Sequence, residues 1–250
     1  MRRRGCVVLG MVCFIAAAMA VSAGEAEAPK AEKGEKAAKA KSGKKGEKGE
    51  KGAKEEGGWI QLFNGKDLKG WKAEGNAEWK VEDGNLVGRQ GQPGNKPGDL
   101  FTERSFKDFE LICTYKCIWP CNTGVWFRYK DAKTAYQADI LEYVKPEAYS
   151  GTLYSPNLPK GQVFLAANLD KTIEKKDDWN TMRIIAHGDH LVVYLNDKKT
   201  AEATDSRIPE GKIGFQVHPG KEFEKMAIMV KEIKLRPLKP AKGAEKAESK

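Results

Sequence analysis

The chain has 250 residues, 32% of them charged, and a formal net charge of +9. Most of the positive charge lies outside the middle of the chain: three arginines directly after Met1, an excess of two lysines over glutamates in residues 25–56, and an excess of three basic residues from Arg236 onward. The part between is nearly neutral, so it lacks the charge pattern of a phosphate-backbone binder, and we expect no nucleic-acid partner.

The first 23 residues have the order of a secretory signal peptide. Three arginines precede an apolar run from Cys6 to Ala20, and small residues follow at Val21-Ser22-Ala23. The alternative is a membrane anchor, but the run is shorter than the roughly 20 apolar residues that a spanning helix needs. We therefore expect cleavage after Ala23, a secreted or periplasmic protein, and no stable membrane insertion after cleavage.

Residues 24–56 contain no aromatic residue and no Val, Ile, Leu or Met, and Lys, Glu, Gly and Ala dominate them. Such a segment cannot bury enough apolar surface to offset the entropy lost on ordering, which predicts a disordered linker. Residues 238–250 have the same composition and are predicted to be a disordered basic tail. One folded domain is therefore expected at residues 57–237.

Within that domain, short strand-like runs alternate with turns rich in Gly, Asn, Asp and Pro, and no sustained helical period appears. Hairpins are predicted at Asp83-Gly84-Asn85 and at residues 187–190, and a long strand at 109–117. Many short strands without intervening helices predict an all-β antiparallel sandwich or barrel.

Three cysteines lie in the predicted domain, at intervals of four residues: Cys113, Cys117 and Cys121. Four residues of a strand span about 13 Å, which is too far for Cys113 and Cys117 to share a metal ion or a disulfide. We expect these two to be small core residues. Cys117 and Cys121 can meet only if the chain turns at Pro120.

Three predicted strands each combine an apolar row with a row of unusual polar or aromatic groups. Side chains alternate between the two faces of a strand, and the second row does not have the Lys, Glu and Thr typical of a solvent face. This predicts a functional face formed by Trp126 and Arg128, by Gln137 and Asp139, and by Gln216 and His218.

The domain resembles the 3-keto-disaccharide hydrolase family over residues 59–235. The resemblance rests on the order of seven blocks, at residues 59–71, 79–84, 106–111, 122–128, 151–154, 178–180 and 211–218. It implies a concanavalin-like jelly roll of two antiparallel sheets, secretion, and activity on 3-keto-glycosides. The chain departs from the family pattern at Thr123, Gln137 and Asp139, where Ser, Glu and Gln are usual, so that a carboxylate appears two residues later on the same face.

A ketone at C3 of a sugar acidifies the hydrogen at C2. Elimination of the glycosidic oxygen from C1 then needs a base, an acid and a donor for the developing enolate oxygen. We expect Asp139 to be the base, His218 the acid or second base, and Arg128 the oxyanion partner. A divalent metal is an alternative electrophile, but no close ligand spacing supports one, so no metal site or other cofactor is predicted.

A carbohydrate is the expected partner of this face. Contacts with it are expected from Asn122, Trp126, Gln137, Tyr154 and Gln216, and more weakly from Glu142, which the alternation places on the opposite face from Asp139. Two alternatives remain: a non-catalytic carbohydrate-binding module on the same sandwich, and a structural surface protein held by its lysine-rich ends. Asp139 and His218 facing one pocket, with Arg128 near both, would favour the enzyme.

Overall fold

A computed structural model describes residues 58–240. The predicted signal peptide at 1–23, the predicted linker at 24–56 and residues 241–250 of the predicted tail lie outside the described residues. Across residues 58–240 there is no α-helix, and none of the elements is a helix that could cross a membrane.

Sixteen strands and one 3₁₀ turn, Lys221–Phe223, make up the regular structure. In chain order the strands are β1 (Ile60–Gln61), β2 (Trp71–Gly75), β3 (Glu78–Glu82), β4 (Asn85–Arg89), β5 (Gly98–Phe106), β6 (Phe109–Ile118), β7 (Thr123–Asp131), β8 (Thr134–Ile140), β9 (Glu142–Val144), β10 (Glu147–Tyr154), β11 (Ala166–Asn168), β12 (Asn180–His187), β13 (His190–Leu195), β14 (Lys198–Thr204), β15 (Gly211–Val217) and β16 (Ala227–Pro237).

The strands form two antiparallel sheets of eight. The first has the order β14-β13-β12-β6-β16-β4-β3, with β1 pairing with β16. The second has the order β11-β10-β8-β7-β15-β5-β2, with β9 pairing with β10. The expected two-sheet sandwich is confirmed, and so are both hairpins, since Glu82 pairs with Asn85 and His187 with His190.

The core lies between the sheets, where strands such as β6 and β12 bury every second residue. On β12, for example, Met182, Ile184 and Ala186 are fully buried, whereas the residues between them are partly exposed. A second, smaller apolar cluster lies on the other face of the second sheet and contains Phe101, Trp126 and Ala135, with Tyr129 and Tyr154 packed against it. This face carries the candidate site.

The alternation fails at Arg128, and the prediction that Arg128 shares a face with Trp126 is wrong. The pairing of β7 with β8 shifts register between Phe127 and Asp131, and Arg128 has a φ of 48°. Its fully buried guanidinium donates to the carbonyl oxygens of Lys107 (3.0 Å), Gly188 (2.8 Å) and Ile208 (3.1 Å), and it pairs with Asp108 at 3.3 Å.

All three cysteines of the domain are buried and free. Cys113 and Cys117 are core residues, as expected. Cys117 and Cys121 do meet, since a hydrogen bond links their side chains across the turn containing Pro120. Burial and this hydrogen bond hold the pKa of Cys117 well above its ordinary value, so the thiol is neutral.

Candidate functional site

A cavity of about 400 Å³ opens on the outer face of the second sheet. This volume lies within the range of sites for small ligands. Its lining combines carboxyl, amide, imidazole and aromatic groups. The residues that line the cavity are Asp99, Asn122, Trp126, Tyr129, Ala132, Gln137, Asp139, Leu141, Tyr143, Tyr154, Pro156, Val163, Phe164, Gln216 and His218.

Four neighbouring strands, β5, β15, β7 and β8, supply the polar groups of the floor. Asp99 of β5 pairs with Gln216 of β15, and Asp139 of β8 pairs with Gly124 of β7. β7 lies between β15 and β8. The register therefore places the two carboxyl groups at opposite sides of the floor, with an amide and a glycine between them.

Glycine at position 124 allows a neighbouring side chain to lie flat on the sheet. A Cβ atom there would lie 2.7 Å from Cγ of Gln137 and 2.9 Å from the carbonyl oxygen of Ala138. Gly214 has the same role beneath Phe101, whose Cδ1 would lie 2.3 Å from an added Cβ. The two glycines thus leave the room in which the side chains of Gln137 and Phe101 pack against the sheet.

Asp139 is 3% exposed and lines the cavity. No hydrogen bond reaches its carboxyl group from any residue in the 58–240 range. Desolvation alone raises the pKa of this carboxyl well above its usual range, because burial disfavours the charged form. Burial at this position therefore favours the neutral, protonated form of Asp139.

Asp99 is the second carboxyl group of the cavity, and it has a partner. The indole N–H of Trp126 donates to Asp99 Oδ1 at 2.9 Å. Burial raises the pKa of Asp99 to about 6, although the hydrogen bond from Trp126 opposes this shift and the charge of Glu74 adds to it. Of these two carboxyl groups, Asp99 is the one that receives a hydrogen bond from a group within residues 58–240.

His218 follows the last residue of β15 and is the imidazole of the cavity. Its Nδ1 lies 2.6 Å from the carbonyl oxygen of Pro219, and its ring packs edge-on against Phe223. A carbonyl oxygen can only accept, so Nδ1 carries the proton, and in the neutral ring Nε2 is the basic nitrogen.

The remaining polar groups make long hydrogen bonds with one another. Gln137 Nε2 donates to Gln216 Oε1 at 3.3 Å, and Asn122 Nδ2 donates to the Tyr143 hydroxyl at 3.3 Å. Tyr143 also stacks on Phe164, with ring centroids 6.2 Å apart. These amides can exchange their weak mutual contacts for the hydroxyls of a ligand, and the aromatic pair forms one wall.

The structure brings together most of the residues predicted from sequence. Asp139, His218, Asn122, Trp126, Gln137, Tyr154 and Gln216 all line the cavity. Arg128 does not, for the reason given above. Glu142 also lies outside it: this exposed residue forms an ion pair with Lys176 beside a separate, smaller pocket. Residues 58–240 contain no cluster of three or more His, Cys, Asp or Glu residues arranged to hold a metal.

Sequence reasoning missed Asp99 and the aromatic wall. Asp99 lies at the start of β5, where Leu100 and Phe101 are both apolar and both buried, so no alternation marks the strand. The pattern Pro97-Gly98-Asp99 looks like a turn. Tyr143 and Phe164 come from β9 and a loop, and only the fold brings them to the cavity.

Comparison with known proteins agrees with this architecture. A curated relative, the 3-keto-disaccharide hydrolase of Bacteroides thetaiotaomicron, is 25% identical over 170 residues, and the match spans 58% of this chain and 58% of the relative. Among solved structures, a candidate glycosyl hydrolase from Parabacteroides distasonis superposes with a TM-score of 0.53 at 19% identity, covering 73% of this chain and 94% of that one.

The Emp46p carbohydrate recognition domain superposes with a TM-score of 0.51 at 13% identity, covering 68% of this chain and 89% of that one. At such identities the structural matches show the sandwich fold alone. The model of the 3-keto-alpha-glucoside-1,2-lyase-like domain matches residues 58–236, which is nearly all of the described domain. The chain belongs to the family of 3-keto-alpha-glucoside-1,2-lyase-like domains.

Proposed function

We propose that the protein cleaves 3-keto-glycosides, by removal of the C2 hydrogen and elimination of the glycosidic oxygen from C1, followed by addition of water. The observation that carries this proposal is the convergence of two carboxyl groups and one imidazole on a single cavity: Asp139, Asp99 and His218. Carboxyl and imidazole groups are the side chains most used for general acid–base catalysis. Family membership supports the class of substrate.

The cavity also suits a sugar as ligand. Amide groups of Asn122, Gln137 and Gln216 offer donors and acceptors for hydroxyls, and the rings of Trp126 and Tyr143 offer flat apolar faces to the C–H surface of a pyranose. A non-catalytic binding module would use the same groups. The criterion that we stated from sequence for an enzyme is met in part: Asp139 and His218 line one cavity, whereas Arg128 lies outside it.

Incubation of the purified protein with a 3-keto-glycoside and, in parallel, with its unoxidised parent tests the proposal. We expect release of the aglycone from the keto form alone, because only the ketone acidifies the C2 hydrogen. Binding of the keto form without turnover would favour the module. Equal cleavage of both forms would point to ordinary glycoside hydrolysis, which needs no ketone.

We further propose that the protein acts outside the cytoplasm. The support is the leader at residues 1–23, with its three arginines, apolar run and small-residue site. N-terminal sequencing of protein recovered from the secreting cell should begin at Gly24, and an intact N-terminus would contradict this.

A further inference from the structure

The proposed reaction places negative charge on the ketone oxygen at C3. The lining of the cavity contains no lysine or arginine within residues 58–240, and Arg128 is held elsewhere by Asp108 and three carbonyl oxygens. Besides the imidazole of His218, the side chains that this lining offers as donors to an enolate are therefore neutral ones. Such donors are effective when they are fixed in place and shielded from water.

Asp139 has the properties of such a donor. It is 3% exposed, it lines the cavity, and within the described part of the chain no group donates to its carboxyl oxygens. A carboxylate in that position would be buried with neither a counter-charge nor a hydrogen bond, which is costly. A protonated carboxyl group, by contrast, has an O–H to offer to a ligand.

Tyr154 supplies a second hydroxyl close by. It lies on β10 and pairs with Gln137, two residues before Asp139 on β8. Burial and the nearby Asp139 raise the pKa of Tyr154, so its hydroxyl keeps its proton. Within residues 58–240 this hydroxyl has no hydrogen-bond partner, and it is free to donate to a ligand.

His218 is better placed than Asp99 to act as the base on the same sugar. β15, which leads into His218, lies two strands from β8, whereas β5, which carries Asp99, lies three strands away, or about 14 Å between backbones at about 4.8 Å per strand. Imidazole also reaches further than the short side chain of Asp. Its Nε2 is left basic by the contact of Nδ1 with Pro219.

We propose that Asp139, as a neutral carboxylic acid, and Tyr154 donate hydrogen bonds to the ketone oxygen at C3, while Nε2 of His218 removes the proton from C2. This inference rests on the proposed function and replaces the expectation that Asp139 is the base. The C2–H electrons form the C2=C3 bond and the charge moves to the C3 oxygen. When the C3 ketone re-forms, the electrons of the C2=C3 bond form a C1=C2 bond, the C1–O bond breaks, and the leaving oxygen takes up the proton held by His218. The products are an alcohol and an unsaturated 3-keto sugar.

Asparagine and alanine at position 139 distinguish a donor from a base. Asparagine keeps an N–H donor of similar shape but cannot accept the C2 proton. With an aryl 3-keto-glycoside as substrate, we expect Asp139→Asn to keep kcat within about tenfold of the parent protein and Asp139→Ala to lose about 10²–10³-fold, as for loss of one oxyanion donor. Tyr154→Phe should lose about tenfold. Equal inactivity of the Asn and Ala variants would overturn the proposal.

A substrate analogue without a leaving group gives a second measurement. A 1,5-anhydro-3-keto sugar can exchange its C2 hydrogen in D₂O but cannot eliminate, so exchange followed by NMR reports enolate formation alone. We expect the Asn variant to catalyse this exchange and the Ala variant to do so at least about 10²-fold more slowly, with far-UV circular dichroism showing that both are folded. Exchange lost in both variants would identify Asp139 as the base.

The pH profile provides an independent test. Titratable groups that share the cavity with Asp139 are Asp99 on β5, His218 after β15, Tyr129 on β7, Tyr143 on β9 and Tyr154 on β10. Asp139 can donate only when it is protonated, so we expect kcat to fall as the pH rises through the pKa of Asp139. Asp139→Asn should remove this fall. A fall of the same size in the Asn variant would contradict the donor role of Asp139. The pH profile of kcat in Asp99→Asn identifies any contribution from Asp99.

A parent protein that is inactive on every keto substrate would instead refute the proposed function itself.

Discussion

The indole N–H of Trp126 donates to Asp99 at 2.9 Å, whereas the indole N–H of Trp79, equally buried in the first sheet, has no partner within the described residues. The two tryptophans therefore form a natural pair for measuring what the donor does to Asp99.

Trp126→Phe should raise the pKa of Asp99 above its value of about 6, because the hydrogen bond that opposes the desolvation is removed. The carboxyl ¹³C chemical shift of Asp99, followed through a pH titration, measures this directly. Trp79→Phe is the control, since it deletes an indole N–H that donates to no group within residues 58–240. A pKa of Asp99 that is equal in both variants would show that the Trp126 contact is not formed in solution.

Asp99→Asn should stabilise the protein above about pH 6. The folded-state pKa is raised from an ordinary value of 3.8 to about 6, so the unfolded chain releases this proton first and stability falls as pH rises through that window. The shift corresponds to on the order of 3 kcal/mol in the free energy of unfolding at neutral pH. Urea unfolding at pH 4 and pH 8 tests the difference, which should be present at pH 8 and small at pH 4.

Arg128→Met should destabilise the fold by about 3–5 kcal/mol, because it leaves Asp108 and three carbonyl oxygens buried without their donor. The matched control is Arg89→Met, which removes a half-exposed pair with Glu82 and should cost about 0–1 kcal/mol. Denaturant unfolding measures both. If Arg128→Met keeps full stability but loses turnover, Arg128 reaches the substrate after all.

Glu142→Gln should leave kcat unchanged, since Glu142 is an exposed residue paired with Lys176 and lies outside the cavity. Asp139→Ala, in the same experiment, should lose about 10²–10³-fold. The comparison tests which of the two carboxyl groups reaches the cavity, since Asp139 lies on β8 and Glu142 on β9. Loss of turnover in Glu142→Gln alone would mean that β9, and not β8, supplies the carboxyl group of the site.

The sequence was sufficient for the sandwich and for the face that carries most of the cavity, because period-two alternation survives along β8 and β15. It could not reveal the register shift after Phe127, which turns Arg128 into a buried residue with a φ of 48°. Between the pairs Phe127–Tyr136 and Asp131–Thr134, β7 advances by four residues and β8 by two, and no residue type in this stretch marks such a bulge.

Asp99 was missed for a different reason. The second small apolar cluster on the outer face makes both Leu100 and Phe101 buried, so β5 does not alternate and its first polar residue looks like part of a turn. An apolar patch outside the main core hides the periodicity of the strands that form it. The aromatic wall of Tyr143 and Phe164 depends on loops, whose positions local pattern does not determine.

The absence of lysine and arginine from the described lining of the cavity restricts the sugars that can enter. A uronic acid or a sugar phosphate would bring a negative charge beside Asp99, and the cavity wall in residues 58–240 has no lysine or arginine to compensate it. Uncharged sugars lose far less hydration on entering such a space. The protein should therefore discriminate against acidic glycans through repulsion and desolvation, even where their ring and linkage match those of a neutral glycoside.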